Sequence, residues 1–211
     1  MQSFAVIPAA GRSARMGQPK LLLPWGSATV IEHVLAVWRA SRVSHVVVVA
    51  HPDDLHIAEL ATRAGALVVQ PKVAPPEMKV SVCRALERIV QDFHPEPSDA
   101  WLLAPADVPG ITTAAIDRLL DRYEELLRGQ APPPIVAASQ GQRRRHPVLF
   151  PWRLAAAVPV LGSNEGLDAL VARNPFELVD VSGLVRFDDI DTPKDYRRAQ
   201  ADGPDELAGG L

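Results

Sequence analysis

The sequence predicts a single α/β domain with three layers, in which helices cover both faces of an open, mostly parallel, Rossmann-like sheet. Two observations predict this class. Short apolar runs rich in Val, Ile and Leu alternate with amphipathic helical patterns along the chain, which is typical of repeated strand–helix units. The runs at 46–49 and 101–103 are apolar without interruption, as expected for strands that are buried on both faces.

The predicted elements can be placed in chain order. Strands are predicted at 4–7, 45–50, 67–70 and 100–104, with weaker strand patterns at 135–138, 147–150 and 176–180. Helices are predicted at 29–40, 54–64, 80–93, 113–127 and 165–172. Asp53, Ser81 and Thr112 are candidates for helix caps or first-turn residues, and Gly65 is a candidate helix stop.

Length and composition restrict the class of protein. The 211 residues suffice for a substantial core, and we expect residues 1–200 to form the domain and residues 201–211 a flexible tail. A formal charge of −3 argues against a nucleic-acid-binding protein. The sequence shows no signal-peptide pattern and no apolar run near the ~20 residues that span a bilayer. We therefore expect a cytoplasmic protein without nucleic-acid or membrane partners.

Residues 5–24, AVIPAAGRSARMGQPKLLLP, are the most informative stretch. A predicted strand ends in the small-residue run 9–11, which lets the backbone approach a ligand and offers N–H groups to an anion. Arg15 and Lys20 supply positive charge for a di- or triphosphate. A basic turn on a solvated face would look similar, because the spacing matches neither GxxxxGK[ST] nor GxGxxG.

The whole stretch resembles the pattern (L/P)AAGxSxRMGxxKxLL of the MobA-like NTP transferase family, and most closely its molybdenum cofactor nucleotidyltransferases. The matching residues are Ala9, Ala10, Gly11, Ser13, Arg15, Met16, Gly17, Lys20, Leu22 and Leu23. The resemblance implies the nucleotide-diphospho-sugar transferase type of fold and the transfer of a nucleotidyl group from an NTP. It implies nucleotide contacts from Ala9, Ala10, Gly11, Ser13, Arg15 and Lys20. Among these, Arg15 and Lys20 are the implied catalytic residues.

Asp107 is a candidate magnesium ligand. It directly follows the predicted strand 100–104, and a carboxylate at the carboxyl edge of the sheet can hold Mg²⁺ against phosphate oxygens. An aspartate before Pro109 is also typical of a turn or a helix cap. Asp107 and Pro109 match the family's Asp-x-Pro segment, whose aspartate binds metal, while Val108 and Gly110 differ from the commonest family residues.

A second carboxylate cluster, formed by Asp188, Asp189 and Asp191, precedes a predicted helix start at Thr192-Pro193. This segment resembles the family's (N/D)I(N/D)TPEDY pattern. The resemblance assigns the second metal ligand to Asp191. A cap at Thr192 and a metal ligand beside it can coexist.

The segments implied to bind the acceptor depart from the family pattern. Residues 139–150, SQGQRRRHPVLF, resemble the family's GxxGHPVLF strand with Arg145 at the usual glycine. Arg145 and His146 are candidate acceptor contacts, although a histidine beside a strand can be purely structural. Arg143 and Arg144 are expected to face solvent, since charge runs usually do.

Two further segments depart in the same way. Residues 77–87, EMKVSVCRALE, keep Ser81 of the family's GMxxSLxxGL pattern but lose both glycines. Ser81 is a candidate base contact, with helix capping as an equal alternative. In residues 162–170, GSNEGLDAL, Asp168 stands where the family has an arginine.

The resemblance also implies the substrates. Guanylyltransferases of the group tend to carry Ala-Gly-Gly, whereas Ala10 would narrow the base pocket and favour a pyrimidine. The implied substrates are CTP (or GTP) and a phosphorylated small molecule, molybdopterin, with Mg²⁺ as cofactor and transient contact with molybdoenzyme maturation proteins. Methylerythritol cytidylyltransferases share Pro-Ala-Ala-Gly but carry Asp-Ala-Ala-Arg where this chain has Ala-Asp-Val-Pro. The alternatives are a nucleotidyltransferase for a sugar phosphate or another small molecule, and a nucleotide-binding module without catalysis.

Overall fold

A seven-stranded sheet forms the centre of the protein. The computed structural model describes residues 1–129, 131–186 and 189–201. The strands are β1 (Ser3–Ala9), β2 (Pro24–Trp25), β3 (Ala28–Thr29), β4 (His45–Ala50), β5 (Leu67–Val69), β6 (Ala100–Leu103), β7 (Ile135–Gln140), β8 (Arg143–Pro151) and β9 (Phe176–Asp180). The helices are α1 (Val30–Ala40), α2 (Leu55–Arg63), α3 (Met78–Phe93), α4 (Thr113–Leu127), α5 (Leu167–Ala172) and α6 (Pro193–Ala201).

The strand order in the sheet is β5-β4-β1-β6-β8-β7-β9. The first four strands are mutually parallel. Strand β8 runs antiparallel to both of its neighbours, and β7 and β9 are parallel to each other. The short strands β2 and β3 form a separate hairpin. The prediction of one α/β domain with a mostly parallel sheet is therefore confirmed.

Alternate residues of β1 enter two different hydrophobic clusters, one on each face of the sheet. Ala5 and Ile7 pack into the cluster that α1, α2 and α4 complete. Phe4 and Val6 pack into the cluster that α3 and α5 complete. The strand is thus buried on both faces, as the predicted three-layer arrangement requires.

The helix caps agree in part with the predictions. Thr112 caps α4, because its Oγ1 accepts the N–H of Ala115 at 3.2 Å. Helix α2 is capped by Asp54, whose side chain accepts the N–H of Ile57 at 3.0 Å, so a cap at Asp53 is wrong by one residue. Gly65 follows the end of α2 with a φ of +77°, as expected for a helix stop.

Two predictions extend beyond the described residues. The predicted tail lies outside them from residue 202 onward, and so does Asp188. Among the described residues, no helix combines the length and apolar character needed to cross a bilayer. The cytoplasmic location stays a prediction.

Candidate functional site

The carboxyl ends of β1 and β6 bring two candidate loops together. These strands are parallel neighbours, with Val6 opposite Leu103. Beyond them, the N–H of Ala106 donates to the carbonyl oxygen of Pro8 at 3.2 Å. The loop after β1 therefore lies directly beside the loop that carries Asp107, which confirms that both are at this edge of the sheet.

The loop after β1 is shaped by two single-turn 3₁₀ helices, Ala14–Met16 and Lys20–Leu22. Ser13 and Gly17 flank the first of them in the left-handed region, with φ of 51° and 67°. The hydroxyl of Ser13 accepts the backbone N–H of Lys20 at 3.2 Å. Ser13 thus holds the loop closed across seven residues, a role that the sequence did not predict.

Arg12 ties the same loop to the end of β4. Its Nε donates to Nε2 of His51 at 3.1 Å, and its Nη2 contacts Asp53 at 3.1 Å. His51 is buried, whereas Arg12 and Asp53 are largely exposed. Sequence reasoning missed this contact, because Arg12 occupies a variable position of the loop pattern, and His51 and Asp53 follow a different strand.

Lys20 lies between the two predicted metal ligands. Its Nζ forms a short ion pair with Oδ2 of Asp107 and lies 3.1 Å from Oδ1 of Asp191. The Lys20 side chain is only 13% exposed. Burial alone would lower the pKa of Lys20, but its hydrogen bonds and attraction to the two carboxylates outweigh that effect and raise the pKa. Lys20 is therefore fully protonated.

Two other charged residues surround this cluster. Arg15 reaches Asp191 with its Nη2 at 3.0 Å from Oδ2, and its side chain is 72% exposed. The pKa of Asp189 is raised by desolvation and by the charges of Asp107 and Asp191. Asp189 therefore lies close enough to Asp107 and Asp191 for their charges to disfavour its ionised form.

The carboxylates of Asp107 and Asp191 suit a hard cation that takes its remaining ligands from groups outside the protein. Asp107 and Asp191 already converge on one positive charge, the Lys20 ammonium. Within the described ranges, no group of three or more His, Cys, Asp or Glu side chains is arranged to hold a metal ion alone. Magnesium typically binds to one or two carboxylates and takes its other ligands from phosphates and water. The residues present therefore fit Mg²⁺.

Backbone hydrogen bonds hold the two carboxylate segments in register. The N–H of Ile190 donates to the carbonyl oxygen of Asp107 at 3.0 Å. Thr192 and Asp195 form a reciprocal cap at the start of α6, with the N–H of Asp195 3.2 Å from Oγ1 of Thr192 and the N–H of Thr192 3.0 Å from Oδ2 of Asp195. The cap predicted at Thr192 is thus present next to Asp191.

A cavity of about 280 Å³ opens between the loop after β1 and the start of α3. The residues that line it include Ala9, Ala10, Gly11, Lys20, Pro75, Pro76, Ser81 and Asp107. Ser81 is 3% exposed and lies inside α3, whose N-cap position is Glu77. Helix capping by Ser81 is therefore wrong, because the helix begins two residues earlier than predicted. Ser81 instead lines the same cavity as the predicted nucleotide loop.

A second cavity of about 490 Å³ lies beside the first, and Glu77 and Met78 line both. Its lining includes Arg144, Arg145 and His146, so the structure brings both predicted acceptor contacts to one cavity. Arg143 is exposed as predicted. Arg144 is solvated only in part, because its side chain is half-buried and its guanidinium forms an ion pair with the largely exposed Asp168, which lines the same cavity.

His146 has a defined hydrogen-bonding state in this second cavity. Its Nδ1 lies 3.2 Å from the carbonyl oxygen of Leu103, and a carbonyl only accepts, so Nδ1 carries the proton. Burial lowers the pKa of His146 despite the neighbouring carboxylates. The neutral ring therefore keeps a lone pair on Nε2. His146 anchors β8 to β6 and also lines the predicted acceptor cavity.

Comparison with known proteins shows the family of the chain. The family model described as MobA-like NTP transferase domain matches residues 5–179. A probable molybdenum cofactor guanylyltransferase of Bacillus mycoides (strain KBAB4) is 31% identical over 117 residues, which are 56% of this chain and 54% of that protein. A 2-C-methyl-D-erythritol 4-phosphate cytidylyltransferase of Tolumonas auensis is 34% identical over 128 residues, 59% of this chain and 53% of that protein. The matched region thus spans about half the length of these curated relatives.

A solved structure extends the similarity over nearly the whole chain. Rv0371c from Mycobacterium tuberculosis H37Rv superposes with a TM-score of 0.73 at 27% identity, covering 94% of this chain and 96% of that one. A manganese complex of the same mycobacterial protein superposes with a TM-score of 0.69 at 26% identity, covering 94% and 97%. The predicted family, the NTP transferase class and the fold are confirmed. The relatives differ in nucleotide and acceptor, so both substrates of this chain stay proposals.

Proposed function

We propose that this chain, which belongs to the MobA-like NTP transferase domain family, transfers CMP from CTP to a phosphorylated small molecule and releases pyrophosphate. The observation that carries this proposal is the convergence of Lys20, Asp107 and Asp191 at the edge of a cavity that Lys20 and Asp107 also line. A buried ammonium and two carboxylates at one point suit the charge pattern of a metal-bound triphosphate.

In the proposed reaction, a phosphate oxygen of the acceptor forms a bond to the α-phosphorus of the NTP, and the bond to the pyrophosphate oxygen breaks in line. Such a reaction depends on positioning and charge neutralisation more than on covalent catalysis. Lys20 and Arg15 neutralise the phosphates, and the N–H groups of residues 9–11 offer hydrogen bonds to them. An ionised phosphate already has its electron pair available, so no side chain has to remove a proton.

Asp107 and Asp191 would hold Mg²⁺ in this site. When bound, the ion would polarise the α-phosphoryl oxygen and orient the phosphates. The chain's own contribution is to keep both carboxylates converged on one point, which the Ile190–Asp107 backbone bond and the cap at Thr192 achieve.

The choice of CTP rests on the shape of the first cavity. Ala10 adds a methyl group to the wall of a cavity of only about 280 Å³, which Pro75 and Pro76 also line. A slot of this size between small and rigid residues favours the smaller pyrimidine ring. Ser81 brings a hydroxyl to the same cavity, where it can accept or donate a hydrogen bond to the base.

The second cavity would receive the acceptor. Arg145 provides a guanidinium for its phosphate, and Nε2 of neutral His146 provides a hydrogen-bond acceptor in the same cavity. We propose molybdopterin as the acceptor, supported by the similarity to molybdenum cofactor guanylyltransferases and by the match of the loop motif. Transient contact with molybdoenzyme maturation proteins would then deliver the product.

A second candidate function is cytidylyl transfer to 2-C-methyl-D-erythritol 4-phosphate or to a sugar phosphate. The similarity to the Tolumonas cytidylyltransferase favours it. Asp168 stands where an arginine is expected, and it pairs with Arg144. The second cavity therefore has a different charge pattern from that of the family. Acceptor choice therefore has to be measured.

The experiment has two stages on the full chain. Calorimetric titration of CTP, GTP and ATP with Mg²⁺ identifies the nucleotide, and a pyrophosphate assay with molybdopterin, methylerythritol phosphate and sugar 1-phosphates identifies the acceptor. We expect CTP to bind best and molybdopterin to release pyrophosphate. Lys20→Ala abolishes turnover in this account, while the exposed Lys194→Ala on α6 retains it. Nucleotide binding without turnover of any acceptor would favour a non-catalytic binding module and contradict the proposal.

A further inference from the structure

The ammonium group of Lys20 occupies the point on which Asp107 and Asp191 converge. A group in this position is itself the counter-ion of both carboxylates. The Lys20 side chain is 13% exposed, whereas Asp107 and Asp191 are 21% and 31% exposed. The three charges are therefore partly shielded from solvent, where an ion pair is stronger than at a surface and an unpaired charge is more costly.

The consequence for metal binding follows from this geometry. A divalent cation that approaches the two carboxylates meets an ammonium already placed between them. If the metal enters alone, Lys20 loses both partners and stays partly buried without a counter-charge, which is unfavourable. If an NTP enters as well, its phosphates provide new negative partners for Lys20. Binding of the metal and binding of the nucleotide then favour each other.

We propose that Lys20 is an internal cation that competes with the metal for Asp107 and Asp191 until a nucleotide draws it away. This inference rests on the proposed function, because it takes these two carboxylates as the metal ligands. The chain then binds the metal weakly by itself and tightly together with an NTP. By linkage, the metal strengthens nucleotide binding by the same factor.

Arg15 provides a matched comparison, because it also contacts Asp191, at 3.0 Å. Its side chain is 72% exposed and touches only one of the two carboxylates in the described contacts. Arg15 can turn into solvent at little cost when a metal arrives, since exposed ion pairs contribute little. Competition with the metal is thus a property of Lys20 and not of any nearby positive charge.

The test is a titration of Mn²⁺ into the full-length protein, followed by the electron paramagnetic resonance signal of free Mn²⁺, with no nucleotide and with CTP or GTP present. Blanks with nucleotide alone correct for Mn²⁺ bound by free NTP. We expect the wild-type chain to bind Mn²⁺ at least about tenfold more tightly when the preferred nucleotide is present. Lys20→Gln and Lys20→Met bind Mn²⁺ without nucleotide at least about tenfold more tightly than wild type, because the competing charge is gone. Arg15→Gln leaves the nucleotide-free affinity within about threefold.

If Lys20 only holds the site together, its replacement lowers the nucleotide-free Mn²⁺ affinity instead of raising it, because a disordered site binds metal more weakly. The inference is overturned if both Lys20 variants keep the circular dichroism of wild type and, without nucleotide, bind Mn²⁺ no more tightly than wild type does. Asp107→Asn separates this failure from failure of the proposed metal site. If Asp107→Asn binds Mn²⁺ as wild type does, Asp107 is not a ligand and the proposed function itself loses its metal site.

Discussion

The backbone N–H of Ile190 donates to the carbonyl oxygen of Asp107 at 3.0 Å. This bond joins two segments that are distant in sequence and places Asp191 within reach of the same lysine as Asp107. A second backbone bond, from Arg186 to the carbonyl oxygen of Gly110 at 3.2 Å, docks the same two segments. The spacing of the two proposed metal ligands therefore depends on backbone packing as well as on side chains.

Gly110→Ala tests this docking. A Cβ atom at Gly110 would lie 2.1 Å from the carbonyl oxygen of Arg186, so the segment that leads to Asp191 has to move away. We expect Mn²⁺ affinity and turnover to fall by at least about tenfold, since displacements of about 1 Å in a site are costly. The measurement is Mn²⁺ titration alongside steady-state pyrophosphate release.

Gly129→Ala serves as the matched control for that variant. The nearest atom to a Cβ there is the Leu126 carbonyl oxygen at 3.2 Å, at the far end of α4. We expect Gly129→Ala to keep the Mn²⁺ affinity of wild type. Unchanged metal affinity and turnover in Gly110→Ala would show that the close approach to Arg186 is not needed for the site.

Ala10→Gly is expected to widen the base cavity and to shift nucleotide preference toward GTP. A single methyl group in a pocket typically changes discrimination by about 10- to 200-fold. We expect the ratio of kcat/KM for GTP to that for CTP to rise by about tenfold. Competition assays with both nucleotides measure this ratio directly. A ratio equal to that of wild type would mean that Ala10 does not face the base.

His33 makes the stability of the chain depend on pH. Its Nε2 donates to the carbonyl oxygen of Pro109 at 3.1 Å, and burial lowers its pKa below the ordinary value of 6.5. The unfolded chain takes up the proton at a higher pH than the folded chain does. The stability contributed by neutral His33 is therefore complete above about pH 6.5 and is lost as the pH falls toward the lowered pKa.

His33→Gln keeps a donor for the Pro109 carbonyl but cannot titrate. We expect the loss of Tm between about pH 7.5 and about pH 5.5 to be smaller in this variant than in wild type. Part of the loss persists, because burial also lowers the pKa of His146 and of His45. Identical pH profiles of Tm for both proteins would contradict the assignment to His33.

Thr112 is expected to contribute to the stability of α4 and of the neighbouring loop. Its Oγ1 accepts the N–H of Ala115 at 3.2 Å and donates to the carbonyl oxygen of Leu184 at 2.8 Å. Thr112→Ala loses both bonds and should lower the free energy of unfolding by about 1–2 kcal/mol.

Thr112→Ser keeps both hydrogen bonds and is the matched control. Denaturant unfolding at equilibrium measures both variants, with the slope against denaturant checked for constancy. If Thr112→Ser destabilises the protein as much as Thr112→Ala, the lost stability comes from the methyl group and not from the hydrogen bonds.

The sequence predicted the seven strands of the central sheet, because their residues satisfy local rules, but not the short hairpin of β2 and β3. The run 46–49 is apolar throughout and proved to be buried, as a strand with helices on both faces must be. The direction of β8 was not predictable in the same way. Strand direction depends on the connection from β7, a tight turn at Gly141 with a φ of +59°, and the strand pattern itself carries no direction.

The sequence predicted which residues form the candidate site but not how their side chains are arranged. The motif identified Lys20, Asp107 and Asp191 as separate phosphate and metal contacts, because a motif assigns each residue its role with substrate bound. It could not show that Lys20 pairs with both carboxylates without substrate. The same limit explains Arg144: its pairing with Asp168 depends on how β8 and α5 pack, which no local pattern records.

Metal-dependent release of pyrophosphate from an NTP is the decisive measurement of the proposed activity. The wild-type chain, Lys20→Ala, Asp107→Ala and Lys194→Ala are assayed with Mg²⁺, CTP and the acceptor panel, and again with the metal chelated. We expect turnover in wild type and in Lys194→Ala, none after chelation, and a loss of at least about a hundredfold in Lys20→Ala and Asp107→Ala. Turnover that survives both Lys20→Ala and Asp107→Ala would contradict this expectation.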